Sequence, residues 1–137
     1  AQMGAELLVQ VVAELAAGTA SRTPQDHEKA TLAPMLSKEL SPMDWNHTAL
    51  QLHNQVRGLL PWPAAVTTLN GSRCKVFATT VLEEHTQAEP GTILRADKAG
   101  IDLACGEGTV LRIDQLQPDG GKRMKAADYL RGHPIVL

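Results

Sequence analysis

Apolar residues recur at helical spacing in two stretches of the chain. Leu7, Leu8, Val11, Val12 and Leu15 form the first stripe, which predicts a helix from about Gly4 to Ala17 with Gly18 at the C′ stop position. That stripe is too wide to leave in water and must pack on something. Ala49, Leu52, His53, Val56, Leu59 and Leu60 form the second. It predicts a helix over His47 to Gly58, capped by Asn46 and stopped by Pro61. Between the two, Thr19 to Ser41 holds Thr, Ser, Pro24, Pro34 and scattered charge with no sustained period. It reads as a linker that contains a domain boundary.

Beyond Pro63 the period changes from helical to alternating. Ala65 to Leu69, Cys74 to Leu82, Thr92 to Ala96, Ile101 to Cys105 and Val110 to Leu116 read as short strands. Asn70-Gly71 is a strong hairpin signal, because a type I′ turn needs positive φ at both central residues. Asp97 to Gly100 and Gly106-Glu107-Gly108 read as further turns. Short strands separated by tight turns predict a small antiparallel barrel or sandwich. A short helix over Ala126 to Leu130 closes the pattern at Gly132, with Met124 and Leu130 as its core contacts.

Composition narrows this picture. A chain of 137 residues is one domain plus an extension. Aromatics make up only 3%, with one Phe, one Tyr and two Trp, so the core must be aliphatic. That scarcity also argues against a self-sufficient single-strand binder, which offers several aromatic platforms to bases. The formal net charge is −2, so any contact with nucleic acid must come from a local patch rather than from the whole-protein field. Cys74 and Cys105 sit in apolar strand-like segments and read as buried thiols in a reducing compartment. No run of about eighteen apolar residues exists, as a membrane span would need. The first helix carries Glu6 within its apolar pattern, unlike a signal peptide, so the expected location is cytoplasmic. Because Ala1-Gln2-Met3 leads at once into a helix, the chain is expected to be a fragment.

Catalytic and metal-binding patterns are not expected. His27, His47, His53, His85 and His133 form no i, i+4 pair and no metal spacing with Cys or carboxylates. Gly106-Glu107-Gly108 lacks the Lys-Ser/Thr ending of a phosphate loop. Glu83-Glu84 point to opposite faces of a strand. No Ser/His/Asp or Cys/His constellation has a motif around it. The basic residues are more informative. Lys122, Arg123 and Lys125 follow the Gly120-Gly121 turn, with Arg131 one helix later; such a cluster can contact phosphates, or be no more than a solvated turn. Arg57, Arg73 and Lys75 are further basic candidates. Trp62, fixed between Pro61 and Pro63, could stack on a base, but reads more simply as the anchor of helix to barrel.

Several segments, in one order, resemble the methionyl-tRNA formyltransferase family. Gly4-Ala5-Glu6-Leu7-Leu8 is similar to the last helix of that family's catalytic domain. Pro24-Gln25, Ala30 to Leu36 and Lys38-Glu39 are similar to its interdomain linker. Met43-Asp44-Trp45, Arg57-Gly58, Pro61-Trp62-Pro63-Ala64, Pro90-Gly91-Thr92-Ile93-Leu94, Ala104-Cys105-Gly106-Glu107-Gly108 and Leu116-Gln117-Pro118 are similar to its C-terminal domain. The resemblance implies a division into residues 1–18 (terminal helix of a missing catalytic domain), 19–41 (linker) and 42–137 (C-terminal domain). It implies a mainly β fold: an OB-like antiparallel β-barrel with a leading helix and a short C-terminal helix. The family transfers a formyl group from 10-formyltetrahydrofolate to the methionyl amino group of initiator tRNA in translation initiation. Its C-terminal domain helps hold the tRNA through basic residues, which carries over to Lys122, Arg123 and Lys125, and further to Arg57 and Lys75. The family often has Gly followed by two lysines where this chain has Gly120-Gly121-Lys122-Arg123. No segment matches the family's catalytic motifs, so no catalytic residue, metal or bound cofactor is expected in this chain. Two other readings stay open. One is the C-terminal domain of a related sugar-nucleotide formyltransferase. The other is a structural barrel that self-associates through the N-terminal helix.

Overall fold

The computed structural model describes residues 2–135; positions 1, 136 and 137, the ends of the expected 1–18 and 42–137 segments, lie outside the described residues. The chain divides into two compact units, one through Pro34 and one from Met35. In the first, helix α1 runs over Gln2–Ala17, two residues longer at its start than the periodicity predicts. The Gln2 amide donates to Glu6 one turn on, at 3.2 Å. Gly18, at φ 70°, ends the helix as expected, and Thr19 N–H donates to the Glu14 carbonyl at 2.9 Å. Leu7, Leu8, Val12 and Leu15 all remain more than half exposed.

In the second unit, helix α2 spans Ala49–Gly58, starting two residues later than predicted. Its cap is Thr48, not Asn46. Gln51 N–H donates to Thr48 Oγ1 at 3.3 Å, and Thr48 N–H donates to Gln51 Oε1 at 2.9 Å, a reciprocal capping box. Asn46 is engaged elsewhere, donating to Asp44 Oδ1 from its backbone at 3.0 Å and from its side chain at 2.8 Å. The helix ends at Gly58, before Pro61.

The strands are β1 Ala65–Leu69, β2 Ser72–His85, β3 Ile93–Asp97, β4 Gly100–Ala104, β5 Thr109–Pro118 and β6 Met124–Lys125. Helix α3, Ala126–Gly132, follows. All ladders between them are antiparallel. The order is β1-β2-β5-β4-β3, with β6 on β5. Asn70 (φ 47°) and Gly71 (φ 78°) make the β1–β2 turn as predicted. Strand β6 escapes the period-two reading because two residues carry no period.

The fold is mainly β as expected, but the barrel does not close. Strands β1 and β3 are the two ends of the ladder path. The physical reason lies at the β1 edge. Val66 N–H donates to the Ser41 carbonyl at 2.8 Å, and Met43 N–H donates to the Val66 carbonyl at 2.9 Å. The segment before α2 therefore occupies the edge groups that closure would need. The core lies between the inner sheet face and the helices: Cys74, Val76, Leu111, Ile113 and Leu116 meet Leu52 and Val56 of α2 and Tyr129 of α3.

Gly106 shows how tightly the 44–48 turn is held. Its N–H donates to the carbonyls of Trp45 and His47, each at 2.9 Å. A Cβ added there would stand 1.9 Å from the Asn46 oxygen, so only glycine fits.

One buried charge in the sheet has no signature in the sequence. Asp102, on β4, has a side chain only 1% exposed. Its Oδ1 accepts from Arg112 Nε at 2.6 Å, and its Oδ2 accepts from Arg95 Nε at 2.7 Å and Arg112 Nη2 at 2.9 Å. Arg95 also grips Glu84 at 2.7 Å. Burial pushes the Asp102 carboxyl up, but the hydrogen bonds and charges of Arg112 and Arg95 outweigh it, and the net shift is downward.

Removing the carboxylate leaves two arginines facing a buried gap. Both guanidiniums keep access to water and Arg95 keeps Glu84, so Asp102→Ala should lower unfolding free energy by about 1–3 kcal/mol, read as a reduced urea midpoint. The folded carboxyl lies below its ordinary value of 3.8. Its contribution is therefore present at neutral pH and lost as pH falls through the folded value. The difference between the two chains should shrink below about pH 4. A difference that stayed constant down to about pH 3, well under the ordinary carboxylate value, would show that the ionised form is not what stabilises.

Candidate nucleic-acid interface

Alternation along β2 separates a buried face from an outer one. Cys74 and Val76 are fully buried, so Arg73 and Lys75 face outward between and beside them. On the neighbouring strands Lys75 stands opposite Gln117 of β5 and Val66 of β1, and Arg73 opposite Thr68 of β1. A register shift between Val76 and Ala78 leaves Phe77 as the extra residue of a bulge, a device that re-aims a side chain. The Arg123 guanidinium lies 4.7 Å from the centre of the Phe77 ring. Its Nε and Nη2 donate to Gln115 Oε1 at 3.0 and 2.7 Å.

The turn after β5 is held against the same face. Gln117 Nε2 donates to the Gly121 carbonyl at 2.8 Å, and Gly121 N–H donates to the Pro118 carbonyl at 2.9 Å. Lys122 and Arg123 follow, both exposed, and Lys125 pairs with Gln115 across the β5–β6 ladder. The predicted cluster of Lys122, Arg123 and Lys125 is thus joined to Lys75 through Gln115 and Gln117. Arg57 is not part of it. It sits on α2, the helix that covers the inward face, with Nη1 3.5 Å from Asn54 Oδ1. Arg131 pairs with Asp128 at 3.0 Å, and Arg73 with Asp119 at 3.5 Å.

The reading of Trp62 as an anchor is corrected. Trp62 is 53% exposed. It lines a groove of about 660 Å³ together with Lys38, Arg73, Lys75, Ser41 and Thr68. Anchoring falls to Trp45, which packs on the core and donates from Nε1 to Thr67 Oγ1 at 3.2 Å. In the Pro61-Trp62-Pro63 turn it is Pro63 that turns inward. The sequence did carry one signal for this face: Arg73, Lys75 and Phe77 alternate with apolar residues along a strand.

Two histidines away from this face have structural partners. His53 Nδ1 lies 2.9 Å from Thr79 Oγ1, and the His133 ring stacks on Tyr129 at 4.3 Å. Among the described residues no three His, Cys, Asp or Glu side chains group as metal ligands do. No described helix is long and apolar enough to cross a membrane.

Residues 35–134 match the sequence profile of the family described as "Formyl transferase, C-terminal domain". Similar full-length proteins include the methionyl-tRNA formyltransferases of Bacillus subtilis, 47% identical over 129 residues, and Enterococcus faecalis, 44% identical over 130. These alignments cover 94% and 95% of this chain but 41% and 42% of those proteins. The chain therefore spans about two fifths of the relatives' length. Among solved structures, HypX from Aquifex aeolicus shares the fold at a TM-score of 0.61 and 19% identity, over 93% of this chain and 22% of HypX. A HypX structure in complex with tetrahydrofolic acid superposes at 0.59, with 18% identity, over 91% of this chain and 22% of that one.

Cys74 and Cys105 are buried and unpaired with each other. Burial pushes the Cys105 thiol up to about 11, and it raises Cys74 as well. The thiolate is the reactive form, so neither thiol should react with Ellman's reagent in the folded chain at about pH 8, near the ordinary thiol value. Both should react on unfolding in urea. Rapid release of one equivalent from the native chain would contradict this burial.

Proposed function

The chain belongs to the formyl transferase C-terminal domain family, and on that premise we propose that it is the tRNA-binding C-terminal part of a methionyl-tRNA formyltransferase. The whole enzyme would move a formyl group from 10-formyltetrahydrofolate to the amino group of methionine on initiator tRNA, forming an amide in the cytoplasm at the start of translation. The folate donor and the reacting groups belong to the part of the relatives that this chain does not cover. No step of the chemistry is assigned to its residues.

What this part supplies is a grip. The observation that carries the reading is the outer sheet face, where Lys75, Arg123 and Lys125 stand together on a chain of net charge −2. A local patch on a mildly acidic protein meets phosphates at short range and repels polyanions elsewhere. Each phosphate neutralised releases counterions, so the grip weakens steeply with salt. The relatives' shared name and this cationic face favour tRNA over a sugar nucleotide. Lys122 and Arg57 are weaker contacts in this reading, Lys122 at the rim of the face and Arg57 apart from it.

On the same reading residues 1–18 are the last helix of the catalytic domain, 19–41 the linker and 42–137 the tRNA-binding domain. The exposed stripe of Leu7, Leu8, Val12 and Leu15 is then covered by the catalytic domain, or by a second copy of the chain when that domain is absent.

Initiator tRNA should bind the chain with an affinity that falls linearly in log–log form with salt. Replacing Lys75, Arg123 and Lys125 together by Ala should reduce the slope by about 0.9 for each phosphate that is no longer neutralised. Arg57→Ala should change it least. An unchanged slope in the triple variant would remove the outer face from the binding surface.

A further inference from the structure

The groove at Trp62 is more than an extension of a phosphate-binding face. Its floor and walls come from β1, β2, the segment before α2 and the Pro61-Trp62-Pro63 turn. At about 660 Å³ it falls within the size range of small-molecule and nucleotide sites. The indole is half exposed and is not part of the core cluster. Ala64 N–H donates to the Leu59 carbonyl at 2.9 Å, which ties the turn back to the end of α2 and fixes where the ring stands.

Around that ring stand Lys38, Arg73 and Lys75, with no carboxylate among the lining residues. Arg73 is partly engaged by Asp119 at 3.5 Å, both side chains more than half exposed, a distance and exposure at which the pairing holds little energy. Ser41 and Thr68 add hydroxyls that can donate or accept. An exposed aromatic face flanked by cations and hydroxyls is the chemistry that recognises an unpaired nucleotide. The base stacks on the ring and the flanking phosphates meet the cations. A duplex cannot use it, because its bases are already stacked on one another.

We infer that this groove holds one unpaired RNA nucleotide, its base stacked on Trp62 and its phosphates on Lys75, Arg73 and Lys38. The inference rests on the tRNA reading and deepens it, adding a base-stacking subsite to a surface otherwise described by charge. It also identifies a task for one of only two tryptophans in the chain. Lys75 belongs to both parts, lining the groove and standing opposite Gln117 on the outer face, so a strand of RNA can pass from one to the other.

The test uses the 137-residue chain with hexa-adenylate, a blunt RNA duplex and initiator tRNA. Binding is followed by tryptophan emission and by titration across a salt series. Hexa-adenylate should quench the Trp62 emission and bind more tightly than the duplex. Trp62→Ala should weaken hexa-adenylate by about 5- to 150-fold without changing the salt slope. Trp62→Phe should retain most of the affinity. Lys75→Ala should instead flatten the slope by about 0.7. Hexa-adenylate binding that is indifferent to Trp62→Ala, or that merely equals duplex binding, overturns the inference. Should Trp62→Ala lose the circular-dichroism spectrum of the folded chain, Arg73→Ala and Lys75→Ala carry the test, and unchanged slopes in both overturn it. The tRNA arm separates the two readings. Binding of tRNA that ignores Trp62→Ala leaves the tRNA role standing and removes the groove. Trp62-dependent binding of hexa-adenylate without tRNA binding removes the tRNA role and leaves the groove. Binding of neither removes both.

Discussion

The register of β2 against β5 is the constraint on which the rest depends. It is the longest ladder in the protein, from Cys74 opposite Pro118 to His85 opposite Thr109. Along it, buried Cys74 and Val76 alternate with Arg73 and Lys75. Because side chains alternate with a period of two, a slip of one residue would carry Lys75 into the core and Val76 to the surface. Burying an unpaired ammonium is far costlier than any single packing defect. One register thus fixes both the apolar face that α2 and α3 cover and the cationic face that points away.

The same ladder carries its own irregularities, and they serve the outer face. Alternation after Arg73 and Lys75 places Phe77 on the outer face, where Arg123 lies over its ring, and the shift there changes the phase so that Thr79 turns inward. Gln115 and Gln117 then tie the turn after β5 back to the strand through hydrogen bonds of 2.7 to 3.0 Å. A loop of Gly, Lys and Arg that would otherwise be free in solvent is held in one place. Ordering cations before they meet phosphates reduces the entropy lost on binding.

The other half of the sheet is organised around a charge. Asp102 joins β3, β4 and β5 through Arg95 and Arg112, and Glu84 brings in β2. Such a buried carboxylate is costly to desolvate and is stabilised only because two guanidiniums satisfy it. Its two arginines are thereby committed to structure. The lysines of the outer face, Lys75, Lys122 and Lys125, lie instead towards the β1–β2–β6 side. This division explains how a chain of net charge −2 still presents one cationic face.

Local signals determined much of this protein. The helical stripes, the Asn70-Gly71 turn, the alternating strands and the two buried thiols all follow from short-range periodicity and turn chemistry, which need only neighbouring residues. The family was legible too, because its segments recur in order. What needed the tertiary structure was every feature decided by competition, whether between neighbours or between distant segments. Thr48 displaced Asn46 as cap because Asp44 had already engaged Asn46. The barrel stayed open because Ser41 and Met43 occupy the β1 edge. Strand β6 exists only because β5 offers it a partner. Trp62 turned outward because its neighbour Pro63 took the buried position. Arg73, Lys75, Arg123 and Lys125 are scattered through the second half of the chain, and only the pairing of β2, β5 and β6 brings them onto one surface. Sequence reports what each residue prefers; the competition for hydrogen bonds and buried space, within a turn as well as between distant segments, decides which preference is met.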